Sequence, residues 1–137
     1  MISSKEKVVL FVGQTFGGRN HDYTMLKTEF PPEKQWFEDI KVAVDLGYQG
    51  IKKDYEGIDV GIPHKRARKS KANPNPKLSK EQKAHNQVVS KMRVYVENAI
   101  GGMKRFKVLV HAFRNRIEGF VDDVIGICAG LWNCLIA

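Results

Sequence analysis

Cysteine is scarce in this chain. There are two, Cys128 and Cys134, both in the apolar C-terminal run. Six positions apart, they fall on different faces of a helix and make neither a CxxC nor a zinc-ligand spacing. A disulfide scaffold and a structural zinc module are thereby excluded. Buried free thiols in a reducing compartment are expected, cytoplasmic or, in a host with a nucleus, nuclear. The opening MISSKEK lacks the apolar core of a signal peptide. Long hydrophobic runs are also missing. FVDDVIGICAGLWNCLIA comes nearest, and Asp122 and Asp123 cut into it. A core helix is expected there, with no membrane partner. No internal repeat is visible. Acid is short relative to base, with 15 Asp+Glu against 23 Lys+Arg and a formal charge of +8. That imbalance points to a polyanionic partner, most simply DNA.

What is present suffices for one compact domain over residues 1–137. The chain is 42% hydrophobic and long enough to bury a core. Lys7 to Phe16 (KVVLFVGQTF) reads as a strand rich in Val and Phe. His21 to Phe30 fits a short helix ending before Pro31-Pro32. Ile40 to Asp45 alternates as a second strand, and Gly57 to Ile62 is a third, stopped by Pro63. Ser79 opens a helix that runs to about Phe106, with Gln82 three residues on completing a capping box. VLVHAF is either a strand or that helix's tail. A last helix starts near Gly119 or Phe120, with Asp122 and Asp123 favourably placed in its first turn, and its apolar residues surround the axis. Strands first and long helices last imply an α/β domain, a small mixed sheet with packed helices.

The long helix carries the most informative pattern. Arg93, Glu97 and Lys104 fall within roughly 40° of one another at 3.6 residues per turn, a stripe of cation, carboxylate and cation. Val89, Met92, Val96, Ala99, Ile100 and Met103 occupy the adjoining face. A charged stripe beside a buried face can reach into a cleft. Asp45, closing the second strand, is its natural partner carboxylate, because α/β active sites gather at strand ends. Two carboxylates from separate elements suit Mg²⁺ or Mn²⁺, which take oxygen ligands and serve phosphodiester chemistry. Arg93 can clamp a phosphate bidentately, and Lys104, about 10 Å beyond Glu97 along the axis, suits a second backbone contact. The structural alternatives are a turn-forming Asp45 before Gly47 and a solvated Glu97 paired with Arg93. Gly101-Gly102 in mid-helix costs about 1 kcal/mol per glycine, so a close neighbour, a DNA backbone or a kink is expected there.

The segment HKRARKSKANPNPK, residues 64–77, reads as an exposed loop inserted within the domain. Its Lys65, Arg66, Arg68, Lys69 and Lys71 are candidate DNA-phosphate contacts. A solvated charged loop and an address signal are the alternatives. His21-Asp22 fits a helix start better than a catalytic pair, and His85 and His111 have no evident partners.

VAVDLGYQGI, RVYVENAIGGMKRF and FRNRIEGFVDDVIGICAGLWNCLIA together resemble the C-terminal part of DDE-superfamily transposases, the insertion-sequence and Harbinger-like group. GGRNHDY resembles that group's small-Gly-x-x-His-Asp segment. The resemblance implies an RNase H-like fold and an Asp-Asp-Glu triad binding two divalent metals. Asp45 matches the second Asp and Glu97 the Glu. Arg93 and Lys104 match the basic members of Tyr-x2-Arg-x3-Glu-x6-Lys, in which Ser90 replaces the tyrosine. The twenty residues before His21 contain no Asp, so the first strand and first catalytic Asp of a partial RNase H-like fold are expected to be missing. Lacking a central strand, the chain is expected to be marginally stable or prone to associate. The implied activity is metal-dependent DNA cleavage and strand transfer in transposition. The fragment is expected to be inactive alone, with an N-terminal transposase fragment or further copies of the chain as candidate partners. The rival expectations are a non-catalytic, basic nucleic-acid-binding remnant and a structural protein with no nucleic-acid role.

Overall fold

A computed structural model describes all 137 residues. They form two compact units, one of residues 1–18 with 94–137, the other of residues 19–93. The architecture mixes α and β. Four strands form two separate two-stranded sheets rather than one mixed sheet, and there are four α-helices.

In the first unit, β1 (Ile2–Ser3) pairs antiparallel with β2 (Val9–Phe11), matching Ile2 to Phe11 and Ser3 to Val9 across an irregular register. The expected strand over residues 7–16 is therefore much shorter. Lys7 lies inside the turn, at φ 68, and its N–H donates to Ser4 O. Beyond Phe11 no strand continues the ladder. A helix takes over the role of neighbour. The Asn133 amide, on α4 (Phe120–Ile136), accepts from Val9 N at 2.8 Å and donates to Val9 O at 2.9 Å. One side chain thus satisfies both backbone groups of a residue that is 7% exposed, as a partner strand would.

The core of this unit is Val9, Ala99, Met103, Cys128, Ala129 and Trp132. Trp132 Nε1 donates to Lys7 O at 2.9 Å, and its ring lies against Gly102. That contact accounts for the second glycine of the mid-helix pair, while Gly101 faces open space. VLVHAF is no strand; residues Lys107–Leu109 make one 3₁₀ turn. The last helix is less enclosed than its composition suggests. Cys128, Ala129 and Trp132 are buried, whereas Ile127, Leu131 and Leu135 face outward. Cys128 is a buried free thiol, its pKa pushed up by burial, and Cys134 is an exposed one, against the expectation of two buried thiols.

The second unit holds α1 (Asp22–Glu29), β3 (Lys41–Ala43), α2 (Ile51–Asp54) and β4 (Asp59–Gly61). β3 and β4 pair in parallel, Lys41 with Asp59, Val42 with Val60 and Ala43 with Gly61. A parallel pair needs a crossover, and α2 with the turn before it supplies one. Ile51, Tyr55 and Val60 form the core, packed by Tyr23, Leu26, Phe37, Val42 and Val44. His21 caps α1, its Nδ1 accepting from Tyr23 N at 3.2 Å, so the His-Asp pair is a helix start. The Tyr23 hydroxyl donates to Asp54 Oδ2 at 2.6 Å and Lys27 Nζ reaches the same oxygen at 3.3 Å, tying α1 to α2.

Helix α3 (Lys80–Met103) is the longest element. Ser79 and Gln82 make the expected capping box. Ser79 Oγ accepts from Gln82 N at 3.1 Å, and Gln82 Oε1 accepts from Ser79 N at 3.0 Å. Val89, Ala99 and Met103 of its apolar face are buried, while Ile100, at the edge of that face, is 38% exposed.

Candidate active site

Asp45 lies just past the end of β3, where the parallel ladder is prolonged by Val44 N donating to Gly61 O at 3.1 Å. In extended backbone conformation, it caps a 3₁₀ turn, Leu46–Tyr48, and its Oδ1 accepts from Leu46 N at 2.5 Å. The turn-forming role considered from sequence is therefore real. It is not the residue's whole environment. Arg93, 48 positions away on α3, donates from Nη1 to the same Oδ1 at 3.4 Å. Both contacts use Oδ1, and Oδ2 makes neither. With side-chain exposures of 51% and 41%, the pair is worth at most about 1 kcal/mol. It is weak enough for the guanidinium to exchange partners.

Tyr48, at the end of that turn, reports who else is near. Its hydroxyl pKa is raised first by burial, then by the Asp22 and Asp45 carboxylates. Its ring meets Tyr23 edge-on at 6.2 Å. Asp22, at the start of α1, thus shares Tyr48 with Asp45. Nothing in the sequence spacing of Tyr48 ties it to residue 22 or 45.

Glu97 lies one turn beyond Arg93 on α3, and Lys104 directly follows the helix; both are exposed. They belong to the other compact unit, so Asp45 and Arg93 are the site residues whose mutual geometry the fold defines. No three His, Cys, Asp or Glu side chains converge anywhere in the chain. The carboxylates offer hard oxygen donors, which suit Mg²⁺ or Mn²⁺.

Residues 64–77 are exposed apart from Pro76, as expected of the basic loop. Lys65, Arg68, Lys69 and Lys71 point into solvent. Arg66 turns inward on its own loop, its Nε donating to Pro76 O at 2.5 Å and its Nη2 to Asn75 Oδ1 at 3.1 Å. The loop's start is clamped to α3. Asn86 Oδ1 accepts from His64 N at 2.6 Å, and Asn86 Nδ2 donates to His64 O at 3.0 Å. His85, for which the sequence shows no evident partner, has two: Ile62 O at 3.0 Å from Nε2, and the His64 ring at 5.0 Å. Sequence spacing carries no signal for this clamp, since a loop's return path is not periodic.

No helix is long and apolar enough to cross a membrane. No solved structure matches the chain significantly. A probable transposase for insertion sequence element IS702 from Microchaete diplosiphon is 33% identical over 120 residues, covering 88% of this chain and 39% of that protein. The chain therefore spans well under half of that relative's length. The sequence model of the DDE superfamily endonucleases matches residues 1–133. With the match running through the Asp45 turn, the Arg93–Glu97 helix and Gly102 packed on Trp132, the chain belongs to the DDE superfamily endonucleases.

Proposed function

We propose that this chain carries part of the catalytic region of a DNA transposase with an RNase H-like fold, which cuts DNA at element ends and joins the freed 3′ hydroxyl to target DNA. The observation that carries the reading is the meeting of Asp45 and Arg93. A strand-end carboxylate and a guanidinium, far apart in sequence, are brought to 3.4 Å where a parallel strand pair ends. Asp45 and Glu97 would hold Mg²⁺ or Mn²⁺. When bound, such an ion polarises the scissile phosphate and activates the attacking water or hydroxyl.

The chain's own groups do the positioning. Arg93 holds Asp45 in the resting state and turns to a phosphate oxygen when DNA arrives, because a bidentate phosphate contact is stronger than an exposed ion pair. Lys104 takes a second phosphate along the duplex. Lys65, Arg68, Lys69 and Lys71 add affinity without sequence selectivity. Arg66 acts by shaping the loop rather than by touching DNA. The partners are DNA, further copies of the chain, and a transposase segment supplying the third carboxylate of the triad.

The test mixes this chain with an N-terminal fragment of a related transposase, Mn²⁺ and a linear donor DNA carrying the element ends. Cleavage that needs both polypeptides and is lost in Asp45→Asn and Glu97→Gln is the expected result. No cleavage, or cleavage indifferent to those two substitutions, refutes the catalytic reading. Salt-sensitive DNA binding that persists unchanged in both variants, without cleavage, would favour the basic, non-catalytic binding module instead.

A further inference from the structure

The histidine pair at the root of the basic loop is used by nothing described so far. We propose that His64 and His85 form a binding site for a borderline divalent d-block cation of the Zn²⁺, Ni²⁺ or Cu²⁺ class, which staples the start of the loop to α3. This rests on the two rings and their supports, independently of any reading of Asp45 and Glu97.

The first support is distance. Two imidazoles on one tetrahedral ion, each with a metal–nitrogen bond of 2.0–2.1 Å, place their ring centroids roughly 5 Å apart. The His64 and His85 centroids are 5.0 Å apart, with the ring planes at 61°. The second is the tautomer. His85 Nε2 lies 3.0 Å from Ile62 O, and a carbonyl only accepts. Nε2 therefore carries the proton and Nδ1 keeps its lone pair. A metal-binding histidine characteristically has its second ring nitrogen fixed in this way by a backbone carbonyl. The third is preorganisation. Asn86 bonds both backbone groups of His64, at 2.6 and 3.0 Å, so the loop need not be ordered when the ion arrives. Both histidines are exposed, which leaves the remaining coordination positions to water. Imidazole nitrogens select this class of ion over Mg²⁺, so the site is chemically distinct from one built on carboxylates.

The experiment is titration of the full 137-residue chain with Zn²⁺, and separately with Ni²⁺, by calorimetry at neutral pH, with circular dichroism confirming that each variant keeps its helix content. One ion per chain is expected. His64→Ala and His85→Ala should each weaken it at least tenfold, and Asn86→Ala, which removes the support of His64, about tenfold. His21→Ala, His111→Ala and Cys134→Ser should leave it unchanged. No binding, binding in the His64 or the His85 variant as tight as in the parent chain, or binding abolished by Cys134→Ser would each overturn the proposal.

Discussion

The packing of Gly102 against Trp132 makes the sharpest prediction. A Cβ placed on Gly102 would lie 2.3 Å from Trp132 Cζ3, 2.4 Å from Cη2 and 2.5 Å from Cε3, distances no carbon pair sustains. Something must move, and the ring is poorly free to do so. It is 7% exposed, in the core with Val9, Ala99 and Met103, and its Nε1 is anchored to Lys7 O at 2.9 Å. Gly102→Ala therefore forces either a displaced indole or a retreat of α3 from α4. Overpacking of this kind costs about 1–3 kcal/mol, and an indole N–H pulled from its carbonyl adds about 1 kcal/mol. Removing a glycine from a helix returns about 1 kcal/mol. The net is a loss of about 2 kcal/mol, or about 6–10 °C in Tm for a chain of this size.

Gly101→Ala supplies the internal control. Nothing lies within 4 Å of a Cβ there, so only the helix term acts, and stability should rise by up to about 1 kcal/mol. Urea denaturation followed by far-ultraviolet circular dichroism reads both, with indole fluorescence reporting the Trp132 environment. The double variant Gly102→Ala/Trp132→Phe should be less damaged than the sum of its parts, because the smaller ring vacates the space the methyl needs. Equal stabilities for the two alanine variants, or strict additivity in the double variant, would refute the interlock.

Two further outcomes follow from the same chemistry. Ser79→Ala removes the hydroxyl that accepts from Gln82 N and should cost about 1 kcal/mol in urea unfolding, whereas Ser79→Asp, which keeps an acceptor, should cost little. Asp54 is held below the ordinary carboxylate range first by the Tyr23 hydroxyl and then by Lys27. Its contribution to stability is therefore present above the unfolded-state value and is lost as pH falls through the folded one. Asp54→Asn should flatten that acid limb in a pH series of thermal melts, and Tyr23→Phe should shrink it; an unchanged limb in both would contradict the assignment.

Features legible from sequence were those whose causes are local. The capping box at Ser79 and Gln82, the helix start at His21, the acidic first turn of α4 and the exposure of the basic loop all depend on residues a few positions apart. Strands β2, β3 and β4 were readable in place but not in length. KVVLFVGQTF has the composition of a ten-residue strand, yet only Val9–Phe11 is one, because a strand persists only where something pairs with it. β1 is two residues long, and on Val9 a side-chain amide from α4 does the pairing. VLVHAF fails for the same reason. Long-range partners were legible only through chemistry. A glycine pair in mid-helix announced a close neighbour, a DNA backbone or a kink without choosing between them, and gave no sign that Trp132 would pack on Gly102 and nothing on Gly101. His85 gave no sign of His64, because loop residues 65–77 separate it in sequence from a partner that Asn86 brings back in space.

Asp45 shows why a local role and a catalytic one need not compete. The capping bond to Leu46 N and the ion pair to Arg93 both fall on Oδ1. A carboxylate has a second oxygen, and the cap fixes where it lies by fixing the side chain. A strand-end aspartate that caps the following turn is thus a preorganised ligand rather than a diverted one. The two roles also separate experimentally. Asparagine caps helical turns about as well as aspartate, so Asp45→Asn retains an acceptor for Leu46 N and loses only the charge that Arg93 and a cation would feel. Asp45→Ala removes both. If Asp45→Asn unfolds the turn as Asp45→Ala does, the residue is a structural cap whose charge the turn requires. If Asp45→Asn folds like the parent and abolishes cleavage, the charge is what the chemistry uses.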